Sequence, residues 1–184
     1  MWRSVPSLQN QTAAGVATSC TSVARLVDTN VLVYRFDPRD PVKQGRATSL
    51  LEAGLLDRSL RLAHQSIVEF VAVVTRPLQS LGGRALMSAD EALFEAENLL
   101  RQWDVLYPSR DVLTTAMRGM THYRLPWFDA QIWAIAEVHG LDELLSEDFQ
   151  HGRHYGRVRA VNPFLEASGV HELPALYAPT RTRD

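Results

Sequence analysis

Apolar and polar positions along the chain change period several times. In PVKQGRATSLLEAGLL, residues 41–56, Ala47, Leu50, Leu51 and Leu55 recur at helical spacing and predict a helix. SADEALFEAENLLRQW predicts another, opened by a capping box from Ser88 to Glu91. Ser109 begins a third, running to about Tyr123, and Phe128, Ile132, Ile135 and Ala136 mark a fourth that Gly140 stops. Between these lie short apolar runs read as strands: RLVD, LRLAHQ, DVLYP, ELLSED and RVRAVNPF. SIVEFVAVVT, residues 66–75, is two-sided. Its β-branched residues suit a strand, but Ser66 and Glu69 have capping-box spacing and Pro77 stops the run, so it reads as a helix. Being apolar on every face, that helix is expected to be buried all round.

Strands separated by helices of 10 to 16 residues point to an α/β fold, a parallel sheet flanked by helices on both faces. The alternation covers residues 25–164. Residues 1–24 are small and polar and read as a disordered extension or an upstream start-codon assignment. Residues 165–184 carry Pro174 and Pro179 and read as an irregular tail. At 184 residues the chain suits one domain, large enough to fold on its own core. Its single cysteine, Cys20, excludes an intrachain disulfide framework and suits a reducing cytoplasm. No apolar run approaches the ~20 residues of a membrane span, so no membrane partner is expected. With 19 Lys and Arg against 21 Asp and Glu, the net charge of −2 argues against a bulk nucleic-acid coat. A local basic strip remains in QHGRHYGRVRAV, where Arg153, Arg157 and Arg159 form either a solvated surface strand or a phosphate-facing patch.

The stretch LVDTNVLVY, residues 26–34, sets Asp28, Thr29 and Asn30 inside an apolar run. Locally, the strand ends at Asp28 and the next two residues open a turn or cap a helix. In parallel α/β sheets, however, ligands bind beyond the carboxyl ends of the strands. Three more acids are predicted at that end: Glu69, Asp129 and Asp148, separated along the chain by 41, 60 and 19 residues. Each has a local explanation. Glu69 completes a capping box, Asp129 favours a helix N-terminus and Asp148 lies in a turn. Together the local explanations weaken. Two carboxylates ~4 Å apart repel by roughly 4 kcal/mol at an effective dielectric near 20, and a lone buried carboxylate adds a desolvation cost. A hard divalent cation resolves both. His64, His122, His139, His151 and His154 have no zinc-type spacing and read as structural or surface residues.

LVDTNVLVY, SIVEFVAVVTRP, FDAQIWAIAEVHG and LLSEDFQHGRHYGRVRAVNPF, in this order and spacing, resemble the PIN-domain nucleases, and more closely the VapC-type toxins of bacterial toxin–antitoxin pairs. The resemblance implies a three-layer α/β/α domain with a small central parallel sheet. It implies an Mg²⁺- or Mn²⁺-dependent endoribonuclease acting on RNA, a homodimer, and a small antitoxin partner. It places the family's four acids on Asp28, Glu69, Asp129 and Asp148 as catalytic and metal-binding residues. Ser146 becomes the supporting hydroxyl, and Asn30 a residue contacting the metal through water. Three rivals stand beside this reading, the first a nuclease with a non-toxin role in RNA processing. An aspartate-nucleophile phosphatase wants a second Asp where this chain has Asn30. A non-catalytic scaffold would be expected to lack one of the four acids, and all four are present.

Overall fold

A computed structural model describes residues 24–165 of the protein. The expectations for 1–24 and 165–184 therefore fall outside the described residues, apart from Ala24 and Leu165 at their edges.

Strand β1 (Arg25–Val27) leads through Asp28 into α1 (Thr29–Tyr34), followed by α2 (Pro41–Asp57), β2 (Leu60–Ala63) and α3 (His64–Val74). After a 3₁₀ turn at Gln79–Leu81 come α4 (Ala89–Gln102), β3 (Val105–Leu106), α5 (Arg110–Tyr123) and α6 (Trp127–Val138). Strands β4 (Glu143–Leu145), β5 (His154–Tyr155) and β6 (Val158–Val161) complete one sheet of order β3-β2-β1-β4-β6-β5. All pairings are parallel except β5 with β6.

Side chains alternate across the pleat and build two cores. Leu26, Leu144 and Ala160 face α5 and α6, packing with Ile132, Trp133 and Ala136. Their neighbours Val27, Leu145 and Leu62 face the other layer, packing with Leu51, Phe70 and Ala96 from α2, α3 and α4. This is the expected three-layer α/β/α arrangement. The tightest inter-helix fit is at Gly119 of α5. A Cβ there would stand 2.6 Å from the Trp133 ring, so only glycine lets α6 approach so closely.

Several elements differ from the sequence reading. The strand does end before Asp28, as read, and residues 29–34 form a short helix capped by the Asp28 side chain. Helix α3 starts two residues earlier than expected, with Ala63 at its N-cap and no capping box. Ser66 lies inside the helix, where its hydroxyl donates to the Val27 carbonyl (3.2 Å) and ties α3 to the end of β1. Nor is α3 buried all round: Val68 is 55 % and Val73 40 % exposed. Its apolar character therefore exceeds what the core uses. Phe128, expected on the buried stripe of α6, is 62 % exposed, whereas Ile132, Ile135 and Ala136 are buried. The β5–β6 hairpin, turned at Gly156 with φ +64°, is too short to show as a period-two pattern.

Candidate active site

The sheet order decides where the site lies. From β1 the chain winds outward through β2 and β3, then returns to place β4 on the opposite side of β1. The crossovers thus part between β1 and β4, the crevice where α/β sheets hold ligands. The register sets Val27 beside both Leu62 and Leu145, so Asp28, Ala63 and Ser146 leave the sheet at one level.

A pocket of about 320 Å³ opens there, and Asp28, Glu69, Asp129 and Asp148 all line it. Four separate segments contribute these acids: the end of β1, α3, the first turn of α6 and the loop after β4. Asp28 is buried. Its Oδ1 accepts from the Thr29 backbone N–H (2.6 Å) and its Oδ2 from the Ser146 hydroxyl (2.5 Å) and the Asn30 amide (3.2 Å). Asn30 Nδ2 also reaches Asp148 (3.1 Å) and Ser146 (3.3 Å), joining the first and last acids through one carboxamide. Ser146 Oγ in turn accepts from the Asp148 backbone N–H at 3.1 Å. Across the pocket, Glu69 accepts from the Thr29 hydroxyl (2.8 Å) and from Gln65 Nε2 (2.9 Å). Glu69 is thus a pocket residue with partners on β1's exit and on its own helix, not a reciprocal cap of Ser66.

The groups bonded to Asp28, Glu69 and Asp148 are hydroxyls, carboxamides and backbone N–H groups, none of which carries a neutralising charge. Burial pushes the Asp28 carboxyl up to about 7, against the lowering pull of the Ser146 and Thr29 hydrogen bonds, and the Asp148 and Glu69 charges add to the rise. Asp129 is raised for the same leading reason, with Asp148 and Glu69 again contributing.

Among the described residues, no three acidic, histidine or cysteine side chains stand close enough together to hold an ion as they are arranged. The chemistry of the lining nevertheless fits a hard cation. All four acids offer oxygen, and Asn30 Oδ1 is a buried acceptor without a hydrogen-bond partner. Its orientation is fixed, because Nδ2 must face the carboxylates. Gln65, which sequence reasoning passed over, repeats the pattern. Its Nε2 donates to Glu69 and to the Phe128 carbonyl (3.1 Å), leaving Oε1 buried without a partner. Its position four residues before Glu69 was the signal that could have found it.

The basic strip belongs elsewhere. Arg157 and Arg159 pair with Asp142 (3.9 Å) and Glu143 (3.6 Å) at the amino end of the strands, and Arg153 lies over the Tyr155 ring at 4.6 Å. None of them lines the pocket. The five histidines considered above are exposed and also absent from the pocket lining.

The PIN domain family model matches residues 25–156, most of the chain and all four acids. The chain belongs to the PIN domain family. Among solved structures, a toxin–antitoxin complex from Klebsiella pneumoniae is similar at a TM-score of 0.52 and 20% identity, covering 76% of this chain and 98% of that one. DNA-bound VapBC from Salmonella typhimurium gives a TM-score of 0.53 at 11% identity, with coverages of 75% and 96%. VapC20 of Mycobacterium tuberculosis, described as a sarcin-ricin loop cleaving toxin, gives 0.50 at 14% identity, with coverages of 66% and 87%. No curated protein matches the chain. At these identities the structural likeness establishes a shared PIN fold, and no helix among the described residues is long and apolar enough to cross a membrane.

Proposed function

We propose that the protein is a divalent-metal-dependent endoribonuclease and the toxin of a toxin–antitoxin pair. The observation that carries the nuclease reading is the pocket of four acids from four chain segments, with Asp28 and Asp129 pushed up by burial and, among the described residues, no cation bonded to any of the four. The toxin reading draws support from the toxin–antitoxin complexes among the similar structures, and RNA as substrate from the one described as cleaving the sarcin-ricin loop.

Asp28, Glu69, Asp129 and Asp148 would hold Mg²⁺ or Mn²⁺, with Asn30 Oδ1 facing its hydration. When bound, such an ion lowers the pKa of a coordinated water and offsets charge on phosphoryl oxygens. The protein's own work is positional. Ser146 and the Thr29 N–H fix the two oxygens of Asp28, Thr29 Oγ1 and Gln65 fix those of Glu69, and Asn30 holds Asp148 against Asp28. Burial and the neighbouring Asp148 and Glu69 charges push Asp28 and Asp129 up, and a bound cation would act on both in the opposite sense. A phosphatase with an aspartate nucleophile would need an acid at residue 30. Here the Asn30 amide donates to the carboxylates instead. A homodimer, a small antitoxin and a cytoplasmic location complete the proposal by analogy with the family.

The deciding experiment is incubation of homogeneous protein with end-labelled total RNA, with Mg²⁺, Mn²⁺ or excess EDTA. Cleavage confined to the metal-containing arms is expected. Equal cleavage in EDTA would sink the mechanism, and expression of the active chain without growth arrest would remove the toxin role.

A further inference from the structure

The acid pocket has one cationic side chain among its described lining residues, Arg39, in the loop that follows α1. Its guanidinium is held on three N–H groups. Nε and Nη2 donate to the two oxygens of Asp37 (2.8 and 2.5 Å), and Nη1 donates to the Ser80 hydroxyl (2.8 Å). Asp37 also accepts from the Arg39 backbone N–H at 3.1 Å. Asp37 is 3 % exposed, while the Arg39 side chain keeps 41 % of its surface open. The carboxylate is therefore a buried anchor and the guanidinium an oriented rim group. Of the five N–H donors on a guanidinium, two remain for an incoming oxyanion. A fork held in place loses little rotamer freedom on binding and matches phosphate geometry.

We infer that Arg39, clamped by Asp37 and Ser80 at the edge of the four-acid pocket, is a substrate-contacting residue that binds a backbone phosphate of single-stranded RNA beside the one being hydrolysed. The inference rests on the nuclease reading above and adds a residue to it. Helix α1 and the four residues after it separate Arg39 from Asp28 along the chain. The Arg39 guanidinium bonds Asp37 and Ser80 and none of the four acids, which suits a neighbouring phosphate rather than the scissile one. Its effect falls on substrate binding. An acidic pocket repels a polyanion along its whole approach, and a fixed cation at the rim gives the strand an entry point.

Removing the guanidinium alone leaves Asp37 buried and unpaired, so Arg39→Gln carries a risk of misfolding. The test therefore compares Asp37→Asn with the double variant Asp37→Asn/Arg39→Gln. Both lack the buried charge, and they differ only in the guanidinium. Cleavage of a fluorescein-labelled single-stranded RNA is followed at fixed Mg²⁺ over a series of KCl concentrations, and thermal unfolding is recorded for each protein. The double variant is expected to fold, to show KM raised about tenfold with kcat changed far less, and to lose about 0.7 from the slope of log(kcat/KM) against log[KCl], the share of one phosphate contact on a single strand. A salt slope and KM equal to those of Asp37→Asn would overturn the assignment while leaving the nuclease intact. Failure of the wild-type chain to cleave the RNA at all would instead remove the nuclease reading, and the Arg39 assignment with it.

Discussion

The acids at the amino end of the sheet and the four predicted from the sequence at its carboxyl end have different surroundings. At the amino end each faces an arginine: Arg61 with Asp104 (2.6 Å), Arg157 with Asp142 (3.9 Å) and Arg159 with Glu143 (3.6 Å). At the carboxyl end Asp37 and Glu147 are likewise paired, with Arg39 (2.5 Å) and Lys43 (2.6 Å), but Asp28, Glu69 and Asp148 face hydroxyls, amides and N–H groups. Paired surface charges contribute little, because water already screens them. Unpaired acids gathered at one pocket store repulsion that a ligand of opposite sign can release. The contrast separates acids whose charge an arginine already offsets from acids whose charge nothing bonded to them offsets.

The largest expected effect comes from removing charge at the carboxyl end. Asp129→Asn and Asp28→Asn are nearly isosteric, and each is expected to abolish most RNA cleavage while leaving far-ultraviolet circular dichroism unchanged. Wild-type rates in either variant would strike that residue from the site. Next is Glu69→Gln, which keeps the hydrogen-bonding shape and loses the charge. Cleavage at low Mg²⁺ should fall at least ~100-fold, the scale of losing one key electrostatic group. Unaltered cleavage there would leave the site with three acids.

A third test reads stability. The Asp28 carboxyl titrates near 7 in the folded protein against 3.8 unfolded, so the folded state holds the proton more tightly. The stability this contributes is full below the unfolded value and is lost as pH rises through about 7. Metal-free protein should therefore be less stable at pH 8 than at pH 5, by an amount on the order of 3 kcal/mol in urea titrations. Asp28→Asn should flatten this dependence, and Mg²⁺ should restore stability at pH 8. A flat profile for the wild-type chain would contradict the raised titration. The smallest effect belongs to the amino end. Arg159→Ala should change unfolding free energy by about 1 kcal/mol or less and leave cleavage untouched, as measured side by side with Glu69→Gln. A large loss of activity would erase the distinction between the two ends.

Much of this was readable before the structure, for identifiable reasons. The helices at 41–57, 89–102 and 110–123 announce themselves through long periodic stripes, and the last two also through side-chain caps at Ser88 and Ser109. The four acids stood out because strand ends in a parallel sheet share one edge. What stayed hidden depends on distance rather than on period. Ser66 looked like a cap because its spacing to Glu69 is right, but it bonds a carbonyl 39 residues away. Gln65 and Arg39 have ordinary local explanations, and only folding brings one beside Glu69 and the other to the pocket rim. Six residues suffice for α1, too few for periodicity to tell helix from strand.

The Ser146 hydroxyl has a consequence for how substitutions combine. It accepts from the Asp148 N–H and the Asn30 amide, so its one hydrogen has Asp28 as its destination. The direction of this chain of hydrogen bonds is thereby set by backbone and carboxamide groups that cannot reverse. Replacing Ser146 with alanine deprives Asp28 of a donor and Asp148 of an acceptor in a single step. Once Asp28 is already Asn, part of that loss has been incurred. In a double-mutant cycle the two changes should therefore cost less together than the sum of their separate costs, because they interrupt one continuous network rather than two independent contacts.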